Sequence, residues 1–153
     1  MGKIMEALFC VFYLVFTCIT GFRIIGKSKD NKVNRLFGIM TLVLVFGDAF
    51  HLVPRIITAI DRAGDYSVSL GIGKLVTSVT MTIFYMILYL YYEKHYDKSN
   101  VKLRYCMIAL SLIRIILCLL PQNGWTSDSP VIWGVYRNIP FAIIGLIMVV
   151  LFW

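Results

Sequence analysis

Charged residues are scarce in this sequence, because they make up 15% of its 153 residues while hydrophobic residues make up 59%. The mean hydropathy of +0.81 is higher than a soluble domain of this length can hide from water. This composition excludes an ordinary soluble globular domain and indicates an integral membrane protein. No repeat, low-complexity segment or long linker divides the chain, so residues 1–153 are predicted to form a single transmembrane domain.

Histidine is rare, and closely spaced cysteine pairs are absent. A catalytic zinc site needs three protein ligands, and the two histidines, His51 and His95, fall on opposite sides of the predicted membrane. The segment around Gly71 and Gly73 lacks the glycine spacing of a phosphate-binding loop and the Ser or Thr that follows its lysine, so it indicates close helix packing. No cofactor and no metal site is therefore predicted.

Long apolar windows recur along the chain. A helix needs about 20 apolar residues to cross the hydrocarbon core of a membrane. Five windows meet this requirement, at residues 4–22, 36–59, 70–91, 103–120 and 131–153. The predicted fold class is an all-α integral membrane protein, a polytopic helical bundle with five transmembrane helices. Because the last window ends without the polar or basic flank that the other window ends on the same side of the membrane carry, we expect the chain to be a C-terminally truncated fragment of a six- or seven-helix bundle.

Lysine and arginine are distributed unevenly among the connections between the windows. Residues 23–35 and 94–104 are rich in both, whereas the second connection has only Arg62 and residues 121–130 have none. Since basic loops stay inside the cell, loops 23–35 and 94–104 are predicted to be cytoplasmic and the N-terminus to lie outside the cell membrane. The net charge of +7 then reflects topology and contact with anionic membrane lipids, not binding of nucleic acid.

Every predicted span nevertheless contains at least one ionisable side chain. Such a group costs about 2.5 to 3.5 kcal/mol at the centre of a membrane, so it needs a partner, a water-filled cavity or a function. A rise of about 1.5 Å per residue places most of these groups in the outer half, with Asp48 and Arg114 near the middle as a predicted ion pair. The groups are Glu6 in span one, Asp48, His51 and Arg55 in span two, Lys74 in span three, Arg114 in span four and Arg137 in span five.

The segment FGDAFHLVPR in span two concentrates these groups. Asp48, His51 and Arg55 recur at the period of a helix and therefore share one face. Pro54 is expected to kink the helix and to leave the carbonyl of Phe50 without its usual donor, so that this carbonyl needs a polar neighbour. The segment is interpreted as one wall of a polar cluster between helices.

Polar side chains also form stripes on spans one and three. Because these stripes coincide with the charged groups, they are predicted to face the interior of the bundle and to leave the large apolar residues toward lipid. The stripes comprise Glu6, Cys10, Tyr13, Thr17 and Thr20 on span one, and Lys74, Ser78, Met81 and Tyr85 on span three.

Positive charge exceeds negative charge in the predicted cluster. Pairing would leave cations over, and unmatched cations in a cavity suit an anion, for which arginine offers bidentate geometry. The predicted function is therefore binding or transport of a small anionic ligand or an anionic lipid headgroup in an outward-facing polar cavity. The cations are Arg55, Lys74, Arg114 and Arg137, and the acids are Glu6 and Asp48.

Each member of the cluster has a predicted role in anion binding. Arg55, Lys74 and Arg137 are expected to contact the anion. Asp48 is expected to position Arg114 or to accept a proton. His51 is expected to couple binding to pH, because its unperturbed pKa lies near 6.5. The oligomeric state is not predicted.

An intramembrane hydrolase acting on lipid headgroups is the main alternative. Asp48 would orient His51 as an acid and base pair, with Ser78 or Ser111 as the nucleophile by elimination. The Gly47-Asp48 pair within span two resembles a Gly-Asp pair of lysoplasmalogenase-type membrane hydrolases. His51, near the end of its span, is similar to a histidine near a span end in the ceramidase and adiponectin-receptor group of seven-helix hydrolases. Each resemblance covers only a few residues, and an enzyme is the less favoured interpretation.

A structural subunit without a ligand is the third interpretation. In that case Asp48 pairs with Arg114, and Glu6 pairs with Lys74 or Arg137, to hold the bundle together.

Overall fold

The computed structural model describes residues 2–28, 31–61, 64–127 and 130–153, with side chains from residue 5 onward. Its regular structure is helical, and these residues contain no strand. Lys29 and Arg62, which contributed to the charge comparison, lie outside the described residues. The helices are α1 (Gly2–Lys27), α2 (Lys32–Ile60), α3 (Ser67–His95), α4 (Val101–Leu119), a short 3₁₀ turn (Pro121–Asn123) and α5 (Val131–Phe152).

The predicted helical bundle is confirmed. Each predicted span coincides with one helix, although several helices are longer than the apolar windows because polar and basic residues add turns at their ends. Four helices, α1, α2, α3 and α5, are long and apolar enough to cross a membrane. The remaining helix, α4, has 19 residues and includes Lys102, Arg104 and Arg114, so its composition differs from that of the other four.

Asparagine side chains begin α2 and α4. Asn31 Oδ1 accepts hydrogen bonds from the amides of Val33 and Asn34 at 3.0 and 3.1 Å, and Asn100 Oδ1 accepts one from the amide of Leu103 at 3.2 Å. These caps satisfy amides that have no partner within the first helical turn. Both caps lie in the connections that the charge pattern predicts to be cytoplasmic.

The helices are arranged as a row with a pair at one end. α2 packs along α1 on one side and along α3 on the other, while α3 also contacts α4 and α5, which pack against each other. The core of the bundle therefore lies where α3, α4 and α5 meet. Its buried apolar residues are Tyr89, Tyr92, Met107, Ile144 and Met148.

Small residues allow α2 and α3 to approach closely. Gly47 lies against Thr80, whose Oγ1 occupies the space that a Cβ at position 47 would need. Thr77 Oγ1 donates a hydrogen bond to the carbonyl of Gly47 at 2.9 Å. Small side chains and interhelical hydrogen bonds of this kind stabilise helix pairs in apolar surroundings.

Gly73 packs against the carbonyl of Phe50, the same carbonyl that Pro54 leaves without an amide donor. α2 continues through Pro54 as one helix, and a Cβ at Gly73 would collide with the Phe50 oxygen. The absence of a side chain lets the Gly73 Cα–H face this oxygen, a weak but recurrent contact between helices. The predicted close packing at Gly73 is thus confirmed. Gly71 instead lies against the carbonyl of Trp125, beyond the end of α4.

The outer surface of the bundle is strongly apolar. Large apolar side chains remain exposed along most helices, for example Phe9 and Phe12 on α1, Leu112 on α4, and Leu146 and Val150 on α5. A continuous apolar surface of this extent is typical of a protein that contacts lipid or another apolar partner.

Candidate functional site

A polar cavity of about 220 Å³ lies between α2, α3 and α5. Three of the predicted ligand-binding residues, His51, Lys74 and Arg137, line this cavity, although they come from three different helices. We call this space the polar cavity. Its remaining lining residues are Thr77, Ser78, Trp125 and Asn138.

The position of each residue along its helix explains why the three meet. Lys74 lies two turns after the start of α3, and Arg137 lies nearly two turns after the start of α5. His51 lies near the end of α2, one turn before Pro54. Because α2 ends where α3 and α5 begin, the three side chains reach one level of the bundle, as the predicted depths indicated.

Arg137 is held in place by the connection between α4 and α5. Its Nη1 donates a hydrogen bond to Asn123 Oδ1 at 2.8 Å, and its guanidinium carbon lies 4.2 Å from the centre of the Trp125 ring. Trp125 Nε1 donates a hydrogen bond to the carbonyl of Cys118 at 2.8 Å, and the Asn123 amide also donates to the end of α4, so both residues that contact Arg137 are themselves held in place. The carbonyls that Asn123 Nδ2 contacts are those of Leu117, Cys118 and Leu120, at 2.6, 3.3 and 2.9 Å.

Lys74 and His51 have fewer side-chain partners than Arg137 among the described residues. The Lys74 residue is exposed, and no carboxylate of the described residues forms an ion pair with it. His51 is half-buried, and its Nδ1 atom is buried without a hydrogen-bond partner among the described residues. A buried nitrogen of this kind can be satisfied by a bound water or ligand. Within the described part of the chain, the polar cavity therefore combines two cations that have no carboxylate partner with an imidazole whose Nδ1 has no hydrogen-bond partner.

Arg55 and Glu6 form a separate site. Arg55 Nε lies 2.6 Å from Glu6 Oε1, which joins α2 to α1. Both line a second cavity of about 210 Å³ beside Leu70. The predicted pairing of Glu6 with Lys74 or Arg137 is therefore not formed. The reason is that α1 packs along α2, so Arg55 is the cation within its reach.

Asp48 pairs with a neutral partner. The Tyr13 hydroxyl donates a hydrogen bond to Asp48 Oδ2 at 2.7 Å, across the contact between α1 and α2. The predicted ion pair between Asp48 and Arg114 is not present, because Asp48 faces α1 whereas α4 lies on the far side of α3. Similar depth along two helices did not bring these side chains to the same face of the bundle.

Arg114 lies in the interface between α4 and α5. It is 3% exposed, and its guanidinium carbon lies 3.4 Å from the centre of the Phe141 ring. Its Nε and Nη1 atoms, like the hydroxyl of Ser111, have no hydrogen-bond partner among the described residues. The aromatic face of Phe141 supplies part of the compensation that a carboxylate would give. Arg114 is not among the residues that line the polar cavity.

A larger cleft of about 660 Å³ lies beside the polar cavity, along α5. Lys74, Arg137 and Asn138 line both spaces. We call this larger space the α5 cleft. The rest of its lining consists of Pro130, Val131, Gly134, Val135, Ile139 and Ala142.

The residues that position Arg137, Asn123 and Trp125, do not follow from the charge and hydropathy patterns of the sequence. The segment PQNGW contains an Asn-Gly pair, which is typical of a turn, and this pair could have indicated that the connection folds back on α4. The role of Trp125 was not visible, because a tryptophan near a helix end is also expected at a membrane interface. Tyr13 belongs to the polar stripe predicted on α1, but nothing in the sequence pairs it with Asp48.

No group of three His, Cys, Asp or Glu side chains in the described part of the chain is arranged to hold a metal ion. Comparison of the chain with protein-family models, with curated proteins and with solved structures found no match. The interpretation of the site therefore depends on its own chemistry.

Proposed function

We propose that the chain is a multi-pass membrane protein that binds or transports a small anionic ligand or an anionic lipid headgroup through the polar cavity. The observation that carries this proposal is the meeting of Lys74 and Arg137, neither of which has a carboxylate partner among the described residues. We also propose that α4 crosses the membrane as a fifth span, because it packs within the same bundle as the four longer apolar helices.

The charge pattern of the connections supports an outward-facing cavity. The polar cavity lies at the end of the bundle where α2 ends and where α3 and α5 begin. The basic residues of the described connections lie at the other end, around the caps of α2 and α4. By the positive-inside rule, the N-terminus and the polar cavity are then outside the cell membrane.

The chemistry of the lining suits an oxyanion. A guanidinium and an ammonium group both donate to phosphate or carboxylate oxygens, and such charge-assisted hydrogen bonds are about twice as strong as neutral ones. Thr77, Ser78 and Asn138 add neutral polar groups at the same cavity. We assign anion contact to Lys74, Arg137 and His51, whereas Arg55 serves mainly to pair with Glu6.

Direct binding of labelled inorganic phosphate and glycerophosphate to the full chain in nanodiscs tests this function. We expect saturable binding, and we expect Lys74→Gln and Arg137→Gln to weaken it by about tenfold each, because each removes a charge-assisted contact. Lys98→Gln is the matched control, since Lys98 is an exposed lysine at the opposite end of the bundle. The proposal is wrong if both cavity variants bind these anions, and anionic lipids, as tightly as the wild type.

The hydrolase alternative has one supporting observation, namely that His51 and Ser78 line the same cavity. However, the Ser78 hydroxyl donates its hydrogen bond to the carbonyl of Lys74 at 2.8 Å, not to the imidazole. A nucleophile and base are expected within hydrogen-bond reach of each other. Binding without hydrolysis is therefore the better-supported function, and release of headgroup from a bound lipid that is lost in Ser78→Ala would reverse this preference.

A further inference from the structure

The polar cavity and the α5 cleft share three polar or charged residues, whereas the rest of the cleft is apolar. Lys74, Arg137 and Asn138 line both spaces, whereas the remaining cleft residues are almost entirely apolar. A ligand that occupied both spaces would need a compact anionic group at one end and an apolar chain at the other. Most small-molecule sites have about 300 to 1,000 Å³, so the polar cavity alone is small and the cleft is within this range.

The α5 cleft opens on the outside of the bundle. Val131, Val135 and Ile139 are 84, 53 and 50% exposed, so the apolar side of the cleft faces the surroundings of the protein. In a membrane those surroundings are lipid chains. The cleft is therefore accessible from the bilayer. The polar cavity lies on the side of the cleft that faces α2 and α3.

The depth of the two cations matches the level of lipid headgroups. α3 has 29 residues and is therefore about 43 Å long, which is close to the full thickness of a bilayer with its headgroups. Lys74 lies seven residues from the start of this helix, or about 10 Å from its outer end. This position is near the boundary between headgroups and hydrocarbon, where the phosphate of a lipid can reach the ammonium group.

We infer that the ligand of this site is an anionic phospholipid of the outer leaflet, which enters sideways along the α5 cleft. Its phosphate contacts Lys74 and Arg137 in the polar cavity, and one acyl chain lies in the cleft against Val135, Ile139 and Ala142. This inference rests on the proposed function and narrows it from anions in general to membrane amphiphiles.

The apolar cleft favours ligands that carry an apolar chain, and it raises their apparent affinity mainly by letting them reach the cations from the lipid phase. A lipid chain that moves from the bilayer into an apolar cleft exchanges one apolar environment for another, so it gains little free energy from the transfer. An open cleft nevertheless lets the headgroup reach the cations while its chain stays out of water. The membrane also holds the lipid at high local concentration beside the site.

Equilibrium binding of radiolabelled lipids to the immobilised full chain in detergent micelles tests this inference. The probes are phosphatidylglycerol, phosphatidylcholine and glycerophosphate. Ala142→Leu narrows the α5 cleft without changing any charge, and Ala109→Leu is the matched control at an exposed alanine of α4. Lys74→Gln reports on the polar cavity in the same assay.

We expect the wild type to bind phosphatidylglycerol at least about tenfold more tightly than phosphatidylcholine or glycerophosphate. Ala142→Leu should weaken phosphatidylglycerol binding by about tenfold and leave glycerophosphate binding unchanged, whereas Lys74→Gln should weaken both. Ala109→Leu should bind as the wild type does.

Other results would overturn the inference in different ways. If glycerophosphate binds as tightly as phosphatidylglycerol, or Ala142→Leu leaves lipid binding unchanged, the ligand does not use the cleft and the proposed anion site stands alone. If phosphatidylcholine binds as tightly as phosphatidylglycerol, the site does not select an anionic lipid and the inference is overturned. If no probe binds in a manner sensitive to Lys74→Gln, the proposed function fails together with the inference.

Discussion

The hydroxyl of Tyr13 donates a hydrogen bond to the carboxylate of Asp48 at 2.7 Å, and this contact joins α1 to α2. Seven residues away on each helix, Glu6 and Arg55 form an ion pair at 2.6 Å. The two contacts lie on matching faces, two helical turns apart. Together they fix how α1 and α2 are aligned along their length.

Tyr13→Phe should destabilise the bundle by about 1 kcal/mol, because hydrogen bonds between membrane helices contribute about that much and this one has a carboxylate acceptor. The free energy of unfolding in mixed micelles measures the change. Tyr105→Phe is the control, since Tyr105 is 69% exposed. Equal effects of the two substitutions would show that the bond to Asp48 contributes nothing specific.

Glu6 and Arg55 should be energetically coupled. The pair is about half exposed, so a double-mutant cycle with Glu6→Gln and Arg55→Gln should give a coupling of roughly 0.5 kcal/mol. The same cycle with Asp48→Asn and Arg114→Gln should give additive effects, because these residues are not paired in the structure. Coupling between Asp48 and Arg114 would instead support the ion pair that depth alone predicted.

Gly73→Ala should disrupt the contact between α2 and α3. The added Cβ collides with the backbone oxygen of Phe50, which cannot move without shifting α2, so we expect a loss of about 2 kcal/mol in the free energy of unfolding. Gly26→Ala is the matched control, since nothing lies within 4 Å of a Cβ there. That control should be neutral or slightly stabilising, because alanine favours helix more than glycine does.

Arg114 and Arg104 should respond in opposite ways to replacement by methionine. Arg104 pairs with Glu93 at 2.9 Å, and the Glu93 side chain is 6% exposed, so Arg104→Met should cost about 3 kcal/mol by leaving a buried carboxylate without its cation. Arg114→Met removes a buried cation that has no carboxylate partner in the described part of the chain, and it should be neutral or stabilising by about 1 kcal/mol. Thermal unfolding of both variants in the same detergent compares them, and a large loss in Arg114→Met would reveal a partner for this cation.

Cysteine labelling should reveal the proposed topology. In a chain whose native cysteines are replaced by alanine, Gln122→Cys should react with a membrane-impermeant maleimide on intact cells. Ser99→Cys should react only after the membrane is opened. Both positions are exposed, so access to the reagent depends on the side of the membrane. The reverse pattern would place the polar cavity in the cytoplasm and contradict an outward-facing site.

The helices, and the positions of the polar groups along them, could be predicted from the sequence because both depend on the spacing of residues within one segment. The period of apolar residues marks each helix, and a constant rise per residue converts position into depth. The predicted cluster therefore includes His51, Lys74 and Arg137, which do line one cavity, but it also includes Glu6 and Arg55, which form a separate pair.

The pairing of individual side chains could not be predicted in the same way. Depth places Asp48 and Arg114 at one level, but only the packing order of the helices shows that Asp48 faces α1. Tyr13 carries no formal charge, so a comparison of charged residues omits it as a partner. The support of Arg137 by Asn123 depends on how a short connection folds back on α4, which no periodic pattern encodes.

The contact between Asn123 and Arg137 also explains how the structure accommodates a cation with which none of the described carboxylates forms an ion pair. The carbonyls at the end of α4 carry the negative end of the helix macrodipole, equivalent to about half an elementary charge. Asn123 binds three of these carbonyls and presents its own oxygen to Arg137, so it relays that partial charge to the guanidinium. A half charge offsets the cation only in part, and in the proposed function the remaining positive charge attracts the anion.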